Sequence, residues 1–248
     1  MGDGCEWLRK IERAAVRAWP ALECADIHGW LWRYASGGSL RANSVSTLAF
    51  TGNDVDAAIA AAERSYRAKG AASRFTITQV SEPADLDRRL AALGYARGAT
   101  AHATMVKEVA RAPPAPREVA LCAEPTAEWL AVYLAGLGAD RRAVAPAILA
   151  RLPQERIFLA CVRAGRVVGS GLSIAEGGLA SVQCMATRAD ARRQWCATAV
   201  LRAIEGWAAG QRCTHLYLQA ELANAGAIAL YATYGFQVAG RYHVRCKD

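Results

Sequence analysis

Thr187-Arg188-Ala189-Asp190-Ala191-Arg192-Arg193-Gln194-Trp195-Cys196-Ala197-Thr198-Ala199-Val200-Leu201 is the stretch on which the fold of this chain turns. A largely apolar run, Leu179 to Met185, leads into it, and an amphipathic segment leads out as far as Trp207. The order is strand, short basic loop, helix N-terminus. The first turn of a helix leaves N–H groups without intrahelical partners. Together with the positive end of the helix dipole, those groups attract phosphate oxygens. Arg192 and Arg193 would add charge-assisted contacts. The stretch admits two readings: a pyrophosphate cradle for a nucleotide-like cofactor, or an ordinary strand–helix junction on an arginine-rich protein.

Downstream, His215 to Glu221 reads as a mostly buried strand, and Asn224 to Gly235 as a short helix closed by its glycine, with Phe236 following. With these residues the chain resembles the GCN5-related N-acetyltransferase (GNAT) family. That family's signature is Arg/Gln-x-x-Gly-x-Gly/Ala at the head of its long helix, then a strand, then Asn-x-x-Ala-x-x-Leu-Tyr-x-x-x-Gly-Phe. Arg192 fits the first position and Ala197 the last, and Thr198 to Leu201 with Trp207-Ala208 keep the register. Asn224, Ala227, Leu230, Tyr231, Gly235 and Phe236 fit the second block at the right spacing. The two blocks in order, with a strand between them, are far more specific than either alone. Two positions depart from the pattern. Trp195 replaces the loop glycine, which elsewhere lets the backbone approach the phosphates, and Ala189 stands where a proline is common. An indole at 195 must point away from the phosphates, stack, or obstruct them.

The resemblance implies an α/β (α+β) fold of GNAT type, a mixed, mostly antiparallel sheet flanked by helices. It also implies acetyl transfer from acetyl-coenzyme A to a primary amine by direct attack in a ternary complex. Backbone groups of Met185, Ala186 and Thr187 would pair with the pantetheine arm as a further strand would. Amides of Arg193, Gln194, Trp195, Cys196, Ala197 and Thr198, flanked by Arg192, would hold the pyrophosphate, and Asn224 would touch the pantetheine region while capping its helix. Tyr231 takes the position of the acid that protonates the departing thiolate; the plainer alternative is a half-buried helix tyrosine packing on the sheet, as for Tyr234. No Glu or Asp lies in Leu179–Thr187, so a base has to come from Glu221, Glu128, Tyr133, the N-terminal half or a water chain. Cys184 is a packing thiol before it is a nucleophile.

The chain has 248 residues, 53% of them hydrophobic and 21% charged, a composition that excludes disorder. No run is long enough to span a bilayer, and the acidic start has no apolar leader segment, so a cytoplasmic location is expected with no membrane partner. Eight cysteines lack CxxC or Cys/His ligand spacing and four histidines form no i,i+4 pair, so neither a disulfide scaffold nor a metal site is expected. The net charge of +8 fits a polyphosphate cofactor or an arginine habit; without a basic block interleaved with aromatics, a nucleic-acid partner is not expected.

The N-terminal half reads as a helix from Trp7 to Trp19 and strands at Gly29–Tyr34 and Ser44–Phe50. A helix capped by Asn53-Asp54 follows, then a strand at Phe75–Val80, a helix at Asp85–Leu93 closed by Gly94-Tyr95, and a strand at Thr100–Val109. Its last strand–helix–Gly-aromatic–strand run repeats the order around Phe236 without the phosphate loop. This suggests a degenerate copy of the same fold, as in bacterial tandem GNAT proteins; an unrelated α+β extension is the alternative. The Pro-rich run 111–117 is the expected linker, dividing the chain into 1–112, an N-terminal substrate lobe, and 117–248, the catalytic domain. Trp30, Trp32 and Tyr34 could line an acceptor pocket, although their alternation with Leu31 suits a core strand. The acceptor is expected to be a small amine, such as an amino acid, amine metabolite or antibiotic, and the protein a monomer or homodimer. The alternatives are a protein acceptor and a GNAT-fold binding module impaired by Trp195.

Overall fold

A computed structural model of the chain describes residues 2–110 and 116–248; the expected linker therefore lies largely outside the described residues. The first half runs α1 (Gly2–Ala18), β1 (Glu23–Ile27), β2 (Trp30–Tyr34), β3 (Val45–Ser46), α2 (Val55–Arg67), β4 (Ser73–Thr78), α3 (Leu86–Ala92), β5 (Ala96–Arg97) and β6 (His102–Glu108). The second runs β7 (Val119–Cys122), α4 (Ala127–Ala135), α5 (Ala139–Leu149), β8 (Arg156–Arg163), β9 (Arg166–Glu176), β10 (Leu179–Ser181) and β11 (Gln183–Thr187). It ends with α6 (Cys196–Gly210), β12 (His215–Glu221), α7 (Ala225–Thr233) and β13 (Gln237–Lys247). β1 is a strand that the sequence reading missed, and the strand expected over Ser44–Phe50 shrinks to the two residues of β3.

All strands belong to one mixed sheet that crosses both halves, with the order β1-β2-β3-β4-β13-β6-β12-β10-β9-β8-β7. The join is a reciprocal exchange. β6 of the first half lies antiparallel between β12 and the opening residues of β13, with His215↔Glu108 on one side and Tyr242↔His102 on the other. The far end of β13 then runs between β4 and β5, with Lys247↔Ser73 and Cys246↔Ala96. Each half thus fills a slot in the other. Lys107 on β6 strengthens the join through an ion pair with Glu205 of α6, and Tyr234 Oη donates to the same carboxylate at 2.7 Å.

The second-half motif recurs in the first half. Gly94 and Gly235 both take positive φ, 82° and 98°, and Tyr95 N–H and Phe236 N–H donate to Leu90 O and Tyr231 O at 3.0 and 2.9 Å. The two halves diverge where a cofactor would sit. Asp54 Oδ1 accepts from Ala57 N–H at 2.9 Å and closes the N-terminus of α2 with its own negative charge, and Leu90 occupies the register of Tyr231. Trp30 and Trp32 pack against Phe50, Phe75 and Tyr66 in the first-half core, so they line no pocket mouth.

Candidate active site

β10 pairs in parallel with β12 from Leu179↔His215 to Ser181↔Tyr217, and Val182 N–H adds a last bond to Tyr217 O at 2.8 Å. Beyond that rung the strands separate, and β11 keeps only β9 as partner. A bulge between Gln183↔Leu172 and Ala186↔Ser170, with Cys184 at φ 52°, turns β11 away from β12. Ser170 Oγ fixes the bulge by donating to Cys184 O at 2.9 Å. Behind it the helix packs so closely that a Cβ on Gly171 would lie 2.4 Å from Val200 Cγ1. Met185, Ala186 and Thr187 therefore border a gap between strands, half-buried and without a bond to β12.

The chain leaves β11 through a short 3-10 turn, Ala189–Ala191, and enters α6 by a loop in which Arg193 and Trp195 both adopt the left-handed conformation, at φ 61° and 64°. No side chain caps α6. The first backbone bond into the helix is Ala199 N–H to Trp195 O at 2.9 Å. Among the described residues, the six successive N–H groups of Arg193 to Thr198 have no acceptor. Such a run, bent through left-handed residues at a helix N-terminus, is a concave anion site. Arg163 Nη2 to Gln194 O at 2.6 Å and Gln194 Nε2 to Asp190 O at 3.1 Å hold its shape. Asp190 is bound to Arg166 and Arg188, while Arg192 and Arg193 form no ion pair among the described residues. Trp195 is 79% exposed, so its indole is largely in solvent. The residue supplies the backbone conformation of the missing glycine at a conformational cost of about 1–2 kcal/mol. Cys196 points inward, its Sγ 3.6 Å from Ala191 O.

Asn224 Oδ1 accepts from Ala227 N–H at 3.1 Å, so the capping half of its expected role is present. Tyr231 is buried with its ring 5.8 Å from that of Phe236. Burial pushes its phenol up to about 12, and no described residue bonds the hydroxyl. Tyr234 differs, being engaged by Glu205. Against burial, which would raise it, Lys107, Tyr234 and Ala110 N–H hold the Glu205 carboxyl below the usual range. The two tyrosines of this helix are therefore distinguished by their partners.

On the opposite face of the sheet, Tyr217 packs on Ile11, Ala14 and Ala15 of α1, and Gln219 Nε2 donates to Glu12 Oε2 at 3.0 Å. Glu12 also accepts from Thr104 Oγ1 at 2.5 Å. Burial pushes Glu12 up to about 7, with Thr104, Gln219 and the charge of Arg41 pulling it down. It borders a cavity of ≈30 Å³ shared with Arg33, Arg41, Gln219 and Tyr242, which is room for about one water. Sequence reasoning missed Glu12, Arg41 and His102. The available signal was a charged residue, Glu12, set between Leu8 and Ala15 on the apolar stripe of α1. Of the expected bases, Tyr133 is buried beside Cys184, Glu221 is exposed at the end of β12 opposite His102, and Glu128 lies on the exposed side of α4. Burial pushes the Cys184 thiol up to about 12, which favours its neutral form. Among the described residues no His, Cys, Asp and Glu cluster could hold a metal, and no helix is long and apolar enough to cross a membrane.

A strand pair opened by a bulge, above a helix that begins on free amides, is the architecture of an N-acyltransferase of the GNAT class. The family model described as "Probable histone acetyltransferase Rv0428c C-terminal" matches residues 6–246, and the chain belongs to that family as a GNAT N-acetyltransferase. The chain is similar to the "Uncharacterized N-acetyltransferase YobR" of Bacillus subtilis (strain 168), with 27% identity over 261 residues covering 97% of this chain and 98% of the relative. Its fold is like that of a GCN5-related N-acetyltransferase from Kribbella flavida, at TM-score 0.71 and 14% identity, covering 100% of this chain and 96% of the other. A tandem GNAT protein from the clavulanic acid biosynthesis pathway aligns at TM-score 0.63 and 14% identity, covering 82% of this chain and 74% of that one.

Proposed function

We propose that the protein transfers an acetyl group from acetyl-coenzyme A to the primary amine of a small molecule. The observation that carries this reading is the run of six partnerless amides, Arg193 to Thr198, opening beside the separated strands. Those amides, with the Arg192 and Arg193 side chains, suit a diphosphate; the free edges of Met185, Ala186 and Thr187, with Asn224 nearby in the motif, suit an amide-bearing arm. Acetyl-coenzyme A, when bound, supplies the thioester that the amine attacks directly in a ternary complex. Tyr231 keeps its proton through neutral pH as any phenol does, and burial raises it further. With a hydroxyl that no described residue engages, it is the group we assign to protonate the leaving sulfur. A water beside Glu12 and Gln219 is our candidate route for the proton that leaves the amine.

A protein acceptor, as the matched family's description suggests, is the second reading, and an impaired binding module the third. The outward indole of Trp195 weighs against the third. A cytoplasmic monomer or homodimer completes the reading. Thiol release from acetyl-coenzyme A, followed over a panel of small amines and basic peptides, tests it. Release with small amines is the expected result, release with peptides alone would move the assignment to proteins, and calorimetric silence toward the cofactor would favour the module.

A further inference from the structure

The first half brings a positive charge, Arg41, to the sheet face that carries Tyr217 and Gln219, and the second half sets Arg141 beside the loop before it. Arg41 sits in a 3-10 turn, Arg41–Asn43, whose shape is fixed from inside. Asn43 Oδ1 accepts from Ala35 N–H at 2.8 Å, Asn43 Nδ2 donates to Ser39 O at 2.9 Å, and Arg33 Nη1 donates to Arg41 O at 2.6 Å. The guanidinium lies 5.5 Å over the Trp19 ring and reaches Gln219 Oε1 at 3.5 Å. The loop before it is pressed against the first turn of α5. At Gly38, with φ 73°, a Cβ would stand 2.5 Å from Asp140 O, and this close approach sets Arg141 beside the Arg41 loop. Neither arginine forms an ion pair with a described carboxylate.

The Gly38 approach sets the exposed Arg141 next to the loop that carries Arg41, whose side chain reaches Gln219. Burial raises Cys184, Tyr133 and Tyr242, and each is drawn back by the charges of both Arg41 and Arg141. His102 is lowered by burial, with Glu221 opposing and the same two arginines adding to the effect. His102 stacks on Tyr242 with centroids 4.5 Å apart, and its buried Nδ1 has no partner. A buried polar atom without a partner is what a bound polar group would satisfy. A planar carboxylate reaching both arginines would take a guanidinium fork from each. Glu221, exposed at the end of β12 on the same face, supplies negative charge that an ammonium would meet. A lysine-rich peptide would instead meet two unpaired arginines on a chain of net charge +8.

We propose that the acceptor amine also carries a carboxylate, as an α-amino acid does, and that Arg41 and Arg141 hold that carboxylate across the junction of the two halves. This rests on the N-acetyltransferase reading and names its acceptor class. A phosphate shares the chemistry, so the test includes both anions. Thiol release would be compared for proteinogenic α-amino acids, their primary amides, their decarboxylated amines and aminoalkyl phosphates. Binding of N-acetyl amino acids and their amides to the coenzyme A-loaded protein would be read in parallel by calorimetry. Charge-assisted bonds of this kind predict a preference for the carboxylate over the amide of about 10- to 100-fold in both assays. In the double variant R41Q/R141Q, with coenzyme A binding measured as the check on folding, the ratio should collapse to within about three-fold. Equal use of acid and amide would overturn the subsite, as would a ten-fold preference for the phosphate or a ratio unmoved in the double variant. Carboxylate-dependent binding without thiol release from any amine would fault the enzyme reading and leave the subsite standing.

Discussion

Glu12 on α1 and Gln219 on β12 are joined by a hydrogen bond of 3.0 Å from the amide nitrogen to the carboxylate, tying the first helix of the chain to the strand that borders the opened gap. The carboxyl is buried and titrates near 7, well above its ordinary value of 4.5. A carboxyl raised on folding favours the folded state fully below its unfolded pKa, and that contribution is lost as pH rises through the folded value. The melting temperature should therefore fall between about pH 5 and pH 8, and Glu12→Gln should flatten that decline. Superimposable pH profiles of wild type and variant, measured calorimetrically, would count against a buried titrating Glu12.

Tyr231 and Tyr234 lie three residues apart and should fail differently. Tyr231→Phe removes a hydroxyl without a protein partner, so turnover should drop on the order of 100-fold with cofactor affinity and stability kept. Tyr234→Phe removes one of the donors on the Glu205 carboxylate, leaving Lys107 and Ala110 N–H, and should cost about 1–3 kcal/mol of stability with turnover retained. Steady-state kinetics and denaturant melts on the two variants separate the roles. The reverse pattern would exchange the assignments.

Trp195 already holds a left-handed backbone with its ring in solvent. Trp195→Gly should leave acetyl-coenzyme A affinity within about three-fold. Trp195→Pro, which forces φ to about −65° and deletes one of the six amides, should weaken binding by ten-fold or more, roughly 1.4 kcal/mol. Titration calorimetry reads both. A large gain in affinity with glycine would show that the indole impedes the cofactor.

The exchanged strands make the halves mutually dependent. Residues 117–248 expressed alone lack β6, leaving β12 and β13 with open edges; such edges promote aggregation. The fragment should be insoluble or molten by circular dichroism, and co-expression with residues 1–112 should restore a folded complex. A cooperative melt from the isolated fragment would contradict the exchange as a folding requirement.

The local backbone geometry of the second half was legible in the sequence. The loop into α6 and the Asn224-to-Phe236 block each state a backbone requirement in side-chain letters: a cap, a left-handed closure at Gly235, a buried ring. The split of Leu179–Thr187 into two strands was hidden, because the bulge rests on Cys184 in a left-handed conformation rather than on a glycine. The exchange was hidden too. Alternation in β6 and β13 reports which face is buried and says nothing of which strand lies alongside. Glu12, Arg41 and His102 come from distant segments and converge only when the sheet is assembled, so no local spacing announced them. Trp30 and Trp32 show the converse: their alternation fits a wall or a core equally, and packing made them core.

The most direct test is to titrate the protein calorimetrically with acetyl-coenzyme A and with acetyl-pantetheine, which lacks the diphosphate. One-to-one binding in the micromolar range, at least ten-fold weaker for acetyl-pantetheine, is the expected result for a diphosphate held by the amides of Arg193 to Thr198. Equal affinity for the two ligands, or no heat with acetyl-coenzyme A, would contradict it.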